Sequence, residues 1–164
     1  MDLDAASTPV IGWREWIGLP RLGIDAVKVK VDTGARTSAL HAFDVERFEH
    51  KGVPWVRFTV RPFQKDADHQ VTAEAKLAGE RLVRDSGGHE TLRPAIRTTL
   101  DFAGHQWRTE VTLADRDAMG FRMLLGRRAV RGRFLVDAKR SFYGGVPGGL
   151  PAPAPGLEDI ETAD

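Results

Sequence analysis

Apolar and polar residues alternate along much of this chain with a period of two. Val27, Val29 and Val31 face one way and Lys28 and Lys30 the other, the signature of a strand with one buried face. The alternation returns in Val56, Phe58 and Val60 against Arg57, Thr59 and Arg61. It returns again in Val71, Ala73, Ala75 and Leu77, and in Trp107, Thr109, Val111 and Leu113. Residues 10–19, with Trp13, Trp16 and Ile17, read as a first strand, and 20–25 as a turn. Phe43, Val45 and Phe48 lead through His50-Lys51-Gly52 into the Val56 run, which predicts a hairpin. Pro62 ends it, and 64–70 is a charged loop. Within 82–96, two short strands flank a Ser86-Gly87-Gly88 tip, the pattern of a mobile hairpin. Leu100 and Phe102 run to a turn at 103–106. Met123-Leu124-Leu125 is a short buried strand ending at Gly126, 127–133 holds one or two helical turns, and Phe134-Leu135-Val136 is a last strand. Many short strands with little helical periodicity predict an all-β fold. The expected form is a closed, mostly antiparallel barrel of six or more strands with at most one short helix.

The two ends read differently. Residues 1–8 are polar and expected to be loose, 9–143 form one domain, and 144–164 are Pro- and Gly-rich and then acidic, which predicts a disordered tail. A hydrophobic content of 41% and a charged content of 29% are ordinary for a globular chain. The net charge of +1 exerts no global pull toward nucleic acid or membrane. With no cysteine, thiolate catalysis and Cys-ligated zinc are excluded, and a reducing compartment is consistent. The acidic start, Met1-Asp2-Leu3-Asp4, lacks the apolar core of a signal peptide, so the expectation is a cytoplasmic protein.

Candidate chemistry concentrates where the Val27–Val31 alternation stops, at Asp32-Thr33-Gly34-Ala35. A strand that ends on an acid fixes its carboxylate, and the glycine lets another backbone approach. This stretch and the later Met123-Leu124-Leu125-Gly126-Arg127 resemble the two halves of a retroviral-type aspartic protease protomer. In that fold an Asp-Thr-Gly-Ala loop is threaded beside a hydrophobic-hydrophobic-Gly segment, with a glycine-rich flap between them in sequence. Four further segments extend the likeness: Gly12-Trp13-Arg14-Glu15, Leu19-Pro20-Arg21-Leu22-Gly23-Ile24, Arg36-Thr37-Ser38-Ala39-Leu40-His41-Ala42 and Arg93-Pro94. Together, over residues 9–143, they resemble a bacterial and archaeal family labelled ATP-dependent zinc protease and associated with RimK-type glutamate ligases.

The resemblance implies a retropepsin-like barrel with a flap hairpin. Asp32, Thr33 and Gly34 would be catalytic. Ala35, Arg36, the flap residues Ser86, Gly87 and Gly88, and Leu125, Gly126 and Arg127 would meet the substrate. Peptide hydrolysis needs an activated water and an acid for the leaving nitrogen. Two close carboxylates sharing one proton supply both. The chain offers one good Asp, so the expected unit is a homodimer that joins Asp32 of each copy. Asp85-Ser86-Gly87 is a second Asp-Ser-Gly pattern, but it lies too near the first for a second lobe, and Arg84 breaks its apolar lead-in.

One position departs from the retroviral pattern. An acid usually follows Asp-Thr-Gly-Ala and pairs with the Arg after the later Gly. Here the residue is Arg36, facing Arg127 or Arg128. Either Glu15, Asp115 or Asp117 serves it, or the basic cluster reads an acidic substrate. No cofactor is expected. His41, His50, His69, His89 and His105 are scattered, and His89-Glu90-Thr91-Leu92-Arg93 lacks the second histidine of a zincin helix. The chain also lacks the Gly-x-x-x-x-Gly-Lys-Ser/Thr loop of a nucleotide site. Arg127, Arg128, Arg131 and Arg133 read as a solvated face rather than a nucleic-acid patch. A barrel that binds peptides without cutting them, as partner or regulator of a glutamate ligase, is the alternative, and a zinc peptidase the third reading.

Overall fold

The structure, a computed structural model, describes residues 7–63, 68–85, 87–115 and 120–146. Ser86, Asp117 and nearly all of the expected tail therefore lie outside the described residues. The strands are β1 (Val10–Gly12), β2 (Arg14–Leu19), β3 (Ile24–Asp32), β4 (Ser38–His41), β5 (Phe43–His50) and β6 (Val53–Val60). They continue as β7 (Val71–Lys76), β8 (Gly79–Arg84), β9 (Glu90–Phe102), β10 (His105–Ala114), β11 (Met123–Gly126) and β12 (Leu135–Asp137). One single-turn helix, α1 (Arg127–Val130), follows β11, and the 20–25 turn contains a 3-10 turn at Pro20–Leu22.

The all-β expectation holds. Pairing links β10, β4, β11, β3, β2 and β9 in that order, and β9 pairs again with β10, so six strands follow one another in a ring. The β2–β9 junction is narrow, a single pair of Gly18 with Asp101. The interior is apolar: Ile17, Val27, Val29, Leu40, Ile96, Leu100, Val111 and Leu125 are all fully buried. These are the inward halves of the alternations, and burying each side chain contributes about 1.5–3 kcal/mol. A separate three-stranded sheet, β5-β6-β7, packs Val56, Phe58 and Val60 into the same core. No helix among the described residues is long and apolar enough to cross a membrane.

Local chemistry sets the turns. Lys51 and Gly52 both have positive φ, as do Ala103 and Gly104, the requirement of the two-residue hairpin turn whose twist matches its strands. Residues 82–96 are not two isolated short strands. Their second half is the start of β9, a 13-residue strand. The β9–β10 ladder ends at the pair Thr112–Ala95. Pro94 comes next, where its missing N–H costs no bond to β10. Beyond it, β8 and β9 continue as a two-stranded arm. The arm is tied at its base by Arg81 on Glu110 (2.7 Å) and by Arg47 on Glu80 (2.7 Å).

Candidate active site

Asp32 closes β3, and Gly126 closes β11. The two strands run parallel with these residues in register, behind Val31 opposite Leu125. β4 lies antiparallel on the other side of β11. The chain therefore leaves β3, turns through 33–37 and returns beside the strand that Asp32 itself flanks. The turn is held by main-chain bonds. Ala35 N–H donates to the Asp32 carbonyl (3.1 Å), Arg127 N–H to the Ala35 carbonyl (2.7 Å) and Arg128 N–H to the Arg36 carbonyl (3.2 Å). Gly126 is buried against the same turn. A Cβ there would stand 2.5 Å from the Thr37 carbonyl oxygen, so only glycine fits.

The Asp32 side chain is half-buried. Its Oδ1 accepts the Gly34 N–H at 3.1 Å, which fixes the plane of the carboxylate. Oδ2 has no hydrogen-bond partner among the described residues. Thr33 and Gly34 are exposed and Ala35 half-buried. The Thr33 carbonyl accepts from Arg127 Nη1 (2.9 Å). Arg127 thus braces the loop through a carbonyl rather than through a carboxylate at position 36. Arg36 is exposed, and its side chain has no partner among the described residues.

Of the acids considered for Arg36, Glu15 is excluded. It is 0% exposed and its carboxyl group accepts N–H bonds from Gly12, Tyr143 and Gly144. Burial raises it above the ordinary carboxylate value, against the pull of those donors. Asp115 is exposed and Asp117 lies outside the described residues. Arg127, Arg128, Arg131 and Arg133 are all exposed, and none has a carboxylate partner among the described residues. Arg36, Arg127 and Arg128 therefore make the surface of the loop cationic, whereas Arg133 lies over the Trp107 ring, 5.9 Å from its centroid, beside the 103–106 turn.

The remaining predicted positions divide. Leu125 is 0% exposed and belongs to the core, so its side chain offers no surface to a ligand. Gly87 and Gly88 sit at the tip of the β8–β9 arm. There the Asp85 carboxylate accepts the N–H groups of Gly87 and His89, both at 2.9 Å, and stands 3.7 Å from the His89 ring. Asp85 is a turn-forming residue, which removes the ground for a dyad with Asp32. Two residues escaped the sequence reading. Buried Ser38 accepts the Gly126 N–H on its Oγ (3.0 Å), and Thr112 Oγ1 donates to the Ser38 carbonyl (3.1 Å). The available signal was a serine at the first inward position of a strand.

Among the described residues no three His, Asp or Glu side chains come together in a way that could hold an ion. Next to His89, Glu90 pairs with Arg84, and Arg93 Nε donates to Thr91 Oγ1. His41 lies against Arg122, His50 packs edge-on to Trp55, His69 packs beside Phe63, and His105 packs edge-on to Phe134.

Comparison with known proteins places this geometry. Residues 10–145 match the profile of the RimB-like family, described as retropepsin-like aspartic endopeptidase RimB. A protein of Shewanella pealeana named probable alpha-L-glutamate ligase is 40% identical over 141 residues, 86% of this chain and 31% of that protein. One of the same name from Parasynechococcus marenigrum is 43% identical over 132 residues, 80% of this chain and 28% of its own. The chain thus spans under a third of these curated relatives. A solved structure from Legionella pneumophila, of unknown function, superposes with a TM-score of 0.70 at 25% identity, covering 84% of this chain and 99% of that one.

Proposed function

The chain belongs to the RimB-like family of retropepsin-like aspartic endopeptidases, and from that premise we propose that it hydrolyses peptide bonds as a homodimer. The observation that carries the reading is Asp32: one strand-end carboxylate per chain, its Oδ1 held by Gly34 and its Oδ2 without a partner among the described residues. A second copy brings the same carboxylate opposite. Like charges that close cannot both ionise, so the pair shares a proton and titrates as a unit. The ionised partner takes a proton from water as it attacks, and the neutral one polarises the scissile carbonyl and then protonates the leaving nitrogen. Thr33 bonds across the twofold axis. Gly34 and the loop backbone receive the substrate as an extended strand. The arm carrying Ser86, Gly87 and Gly88 closes over it and excludes water.

Arg36 and Arg128, exposed at the loop itself, favour an acidic peptide, because they raise the local concentration of anions and pair with carboxylates. The glutamate ligase names of the relatives support a functional link to such a ligase in the cytoplasm. They also favour a second reading, a peptide-binding partner of a ligase that does not cut. One variant separates the two. Asp32→Asn should abolish cleavage of acidic peptides while leaving a folded dimer by light scattering. Peptidase activity retained in that variant would refute the mechanism. A wild-type monomer that binds such peptides intact would favour the second reading.

A further inference from the structure

Gly12-Trp13-Arg14-Glu15 plays no part in the chemistry above, yet it is built as tightly as the Asp32 loop. Arg14 and Glu15 are 1% and 0% exposed. Glu15 Oε2 accepts the N–H of Gly12 at 2.7 Å and of Tyr143 at 2.9 Å, and Oε1 accepts the N–H of Gly144 at 3.2 Å. One carboxyl group therefore gathers main chain from β1 and from the segment after β12. The fit leaves no slack: a Cβ on Gly12 would stand 2.5 Å from the Arg140 carbonyl oxygen and 2.8 Å from Glu15 Oε2. Arg14 adds its guanidinium to the same node, 4.7 Å from the Trp13 ring and 5.1 Å from the Phe142 ring.

Trp13 sits inside this node and touches β3 and the approach to β11. Its N–H donates to the Arg140 carbonyl (3.1 Å), and its carbonyl accepts the Val31 N–H (2.8 Å), one residue before Asp32. Its ring meets Phe121 edge-on at 6.3 Å, two residues before β11 begins. We infer that Glu15 is a positioning residue for Asp32: its carboxyl group fastens β1 and the 140–144 segment around Trp13, and Trp13 transmits that placement to Val31 and the carboxylate beyond it. The inference rests on the aspartic-protease reading. Its logic is rigidity. Three donors converging on one buried acceptor fix it in a single arrangement, and losing one leaves a buried N–H unpaired.

Glu15→Gln preserves the shape but replaces one accepting oxygen by an NH2, so Gly12 with Tyr143, or Gly144, loses its acceptor. Glu15→Asp keeps both oxygens and withdraws them by one methylene. The experiment measures turnover per active site, titrated with a statine peptide, alongside KM on an acidic peptide. Displacing Asp32 without touching the substrate cleft weakens only interactions of the transition state, which lowers kcat and leaves KM alone. The expected loss is roughly 10-fold in kcat for Glu15→Gln and less for Glu15→Asp, below the ~10²-fold of a full 1 Å misplacement. Val60→Ala, a core truncation in β6, should lower the melting temperature without lowering turnover per titrated site. Wild-type turnover per site in either folded Glu15 variant overturns the positioning role. A wild-type protein that no statine peptide titrates, with cleavage insensitive to Asp32→Asn, overturns the aspartic reading and the positioning role with it.

Discussion

Replacing Gly126 by alanine tests the architecture of the site at its tightest point. The added methyl would lie 2.5 Å from the Thr37 carbonyl oxygen and 3.0 Å from the Ser38 nitrogen, where ordinary contact begins at 3.4 Å. The Thr37 carbonyl carbon is nearer still, at 2.4 Å, so the two backbones must part by about 1 Å, and both are pinned. Gly126 N–H bonds Ser38 Oγ at 3.0 Å, and the N–H groups of Arg127 and Arg128 bond the Ala35 and Arg36 carbonyls at 2.7 and 3.2 Å. Opening the gap stretches all three. Overpacking of this kind costs about 1–3 kcal/mol. With a urea m-value of about 1–3 kcal/mol/M, the midpoint should fall by roughly 1 M at unchanged slope. Urea titration followed by tryptophan fluorescence reads this directly. Because the loop that must yield begins at Asp32, kcat should also fall, toward the ~10²-fold expected of a 1 Å misplacement. A Gly126→Ala protein with the wild-type urea midpoint would refute the claim that β11 and the loop are in enforced contact.

Two further outcomes follow from the same geometry. Ser38→Ala removes the only side-chain acceptor described for the buried Gly126 N–H, so unfolding free energy should drop by about 1–3 kcal/mol, measurable by the same titration. The pH dependence of stability should carry two opposite contributions. Burial raises Glu15 above its unfolded value of 4.5, so the folded state holds that proton more tightly. Its contribution is full below pH 4.5 and is lost as pH rises through the folded value. The stability of wild type relative to Glu15→Gln should therefore shrink as pH rises above 4.5. Asp137 is lowered from 3.8, chiefly by the Tyr143 hydroxyl, so its contribution is present above 3.8 and lost as pH falls through the folded value. Tyr143→Phe should flatten that acid limb in a melting series.

What the sequence made legible was whatever one chain segment decides by itself. Val27, Val29 and Val31 alternate because one face of β3 is buried, and the turns at Gly52 and Gly104 follow from the φ values they need. The strand-end position of Asp32 was legible for the same reason. Partners were not. Asp32 and Gly126 are joined by a parallel pairing that no local pattern encodes and that only the family resemblance anticipated. β4 has four residues, Ser38–His41, too few for a period to stand out from the loop before it. Residues 10–19 read as one strand, but a break separates β1 from β2 at Trp13, where Glu15 pulls in main chain from 143–144. Glu15 itself was a candidate partner for Arg36, because a sequence shows charge and not burial. Leu125 looked available beside Gly126, yet both are buried, Leu125 in the core and Gly126 against the Thr37 carbonyl.

The braced loop also has a temporal consequence. The contact between Arg127 and the Thr33 carbonyl spans 94 residues. At ordinary translation rates of ~5–20 residues per second, about 5–20 s separate the synthesis of the two partners. Throughout that interval the nascent chain carries Asp32 with no β11 beside it and no Arg127 to hold the turn. The Asp32 carboxylate is therefore made early and seated late, and the ribosome finishes most of the domain before the loop can close.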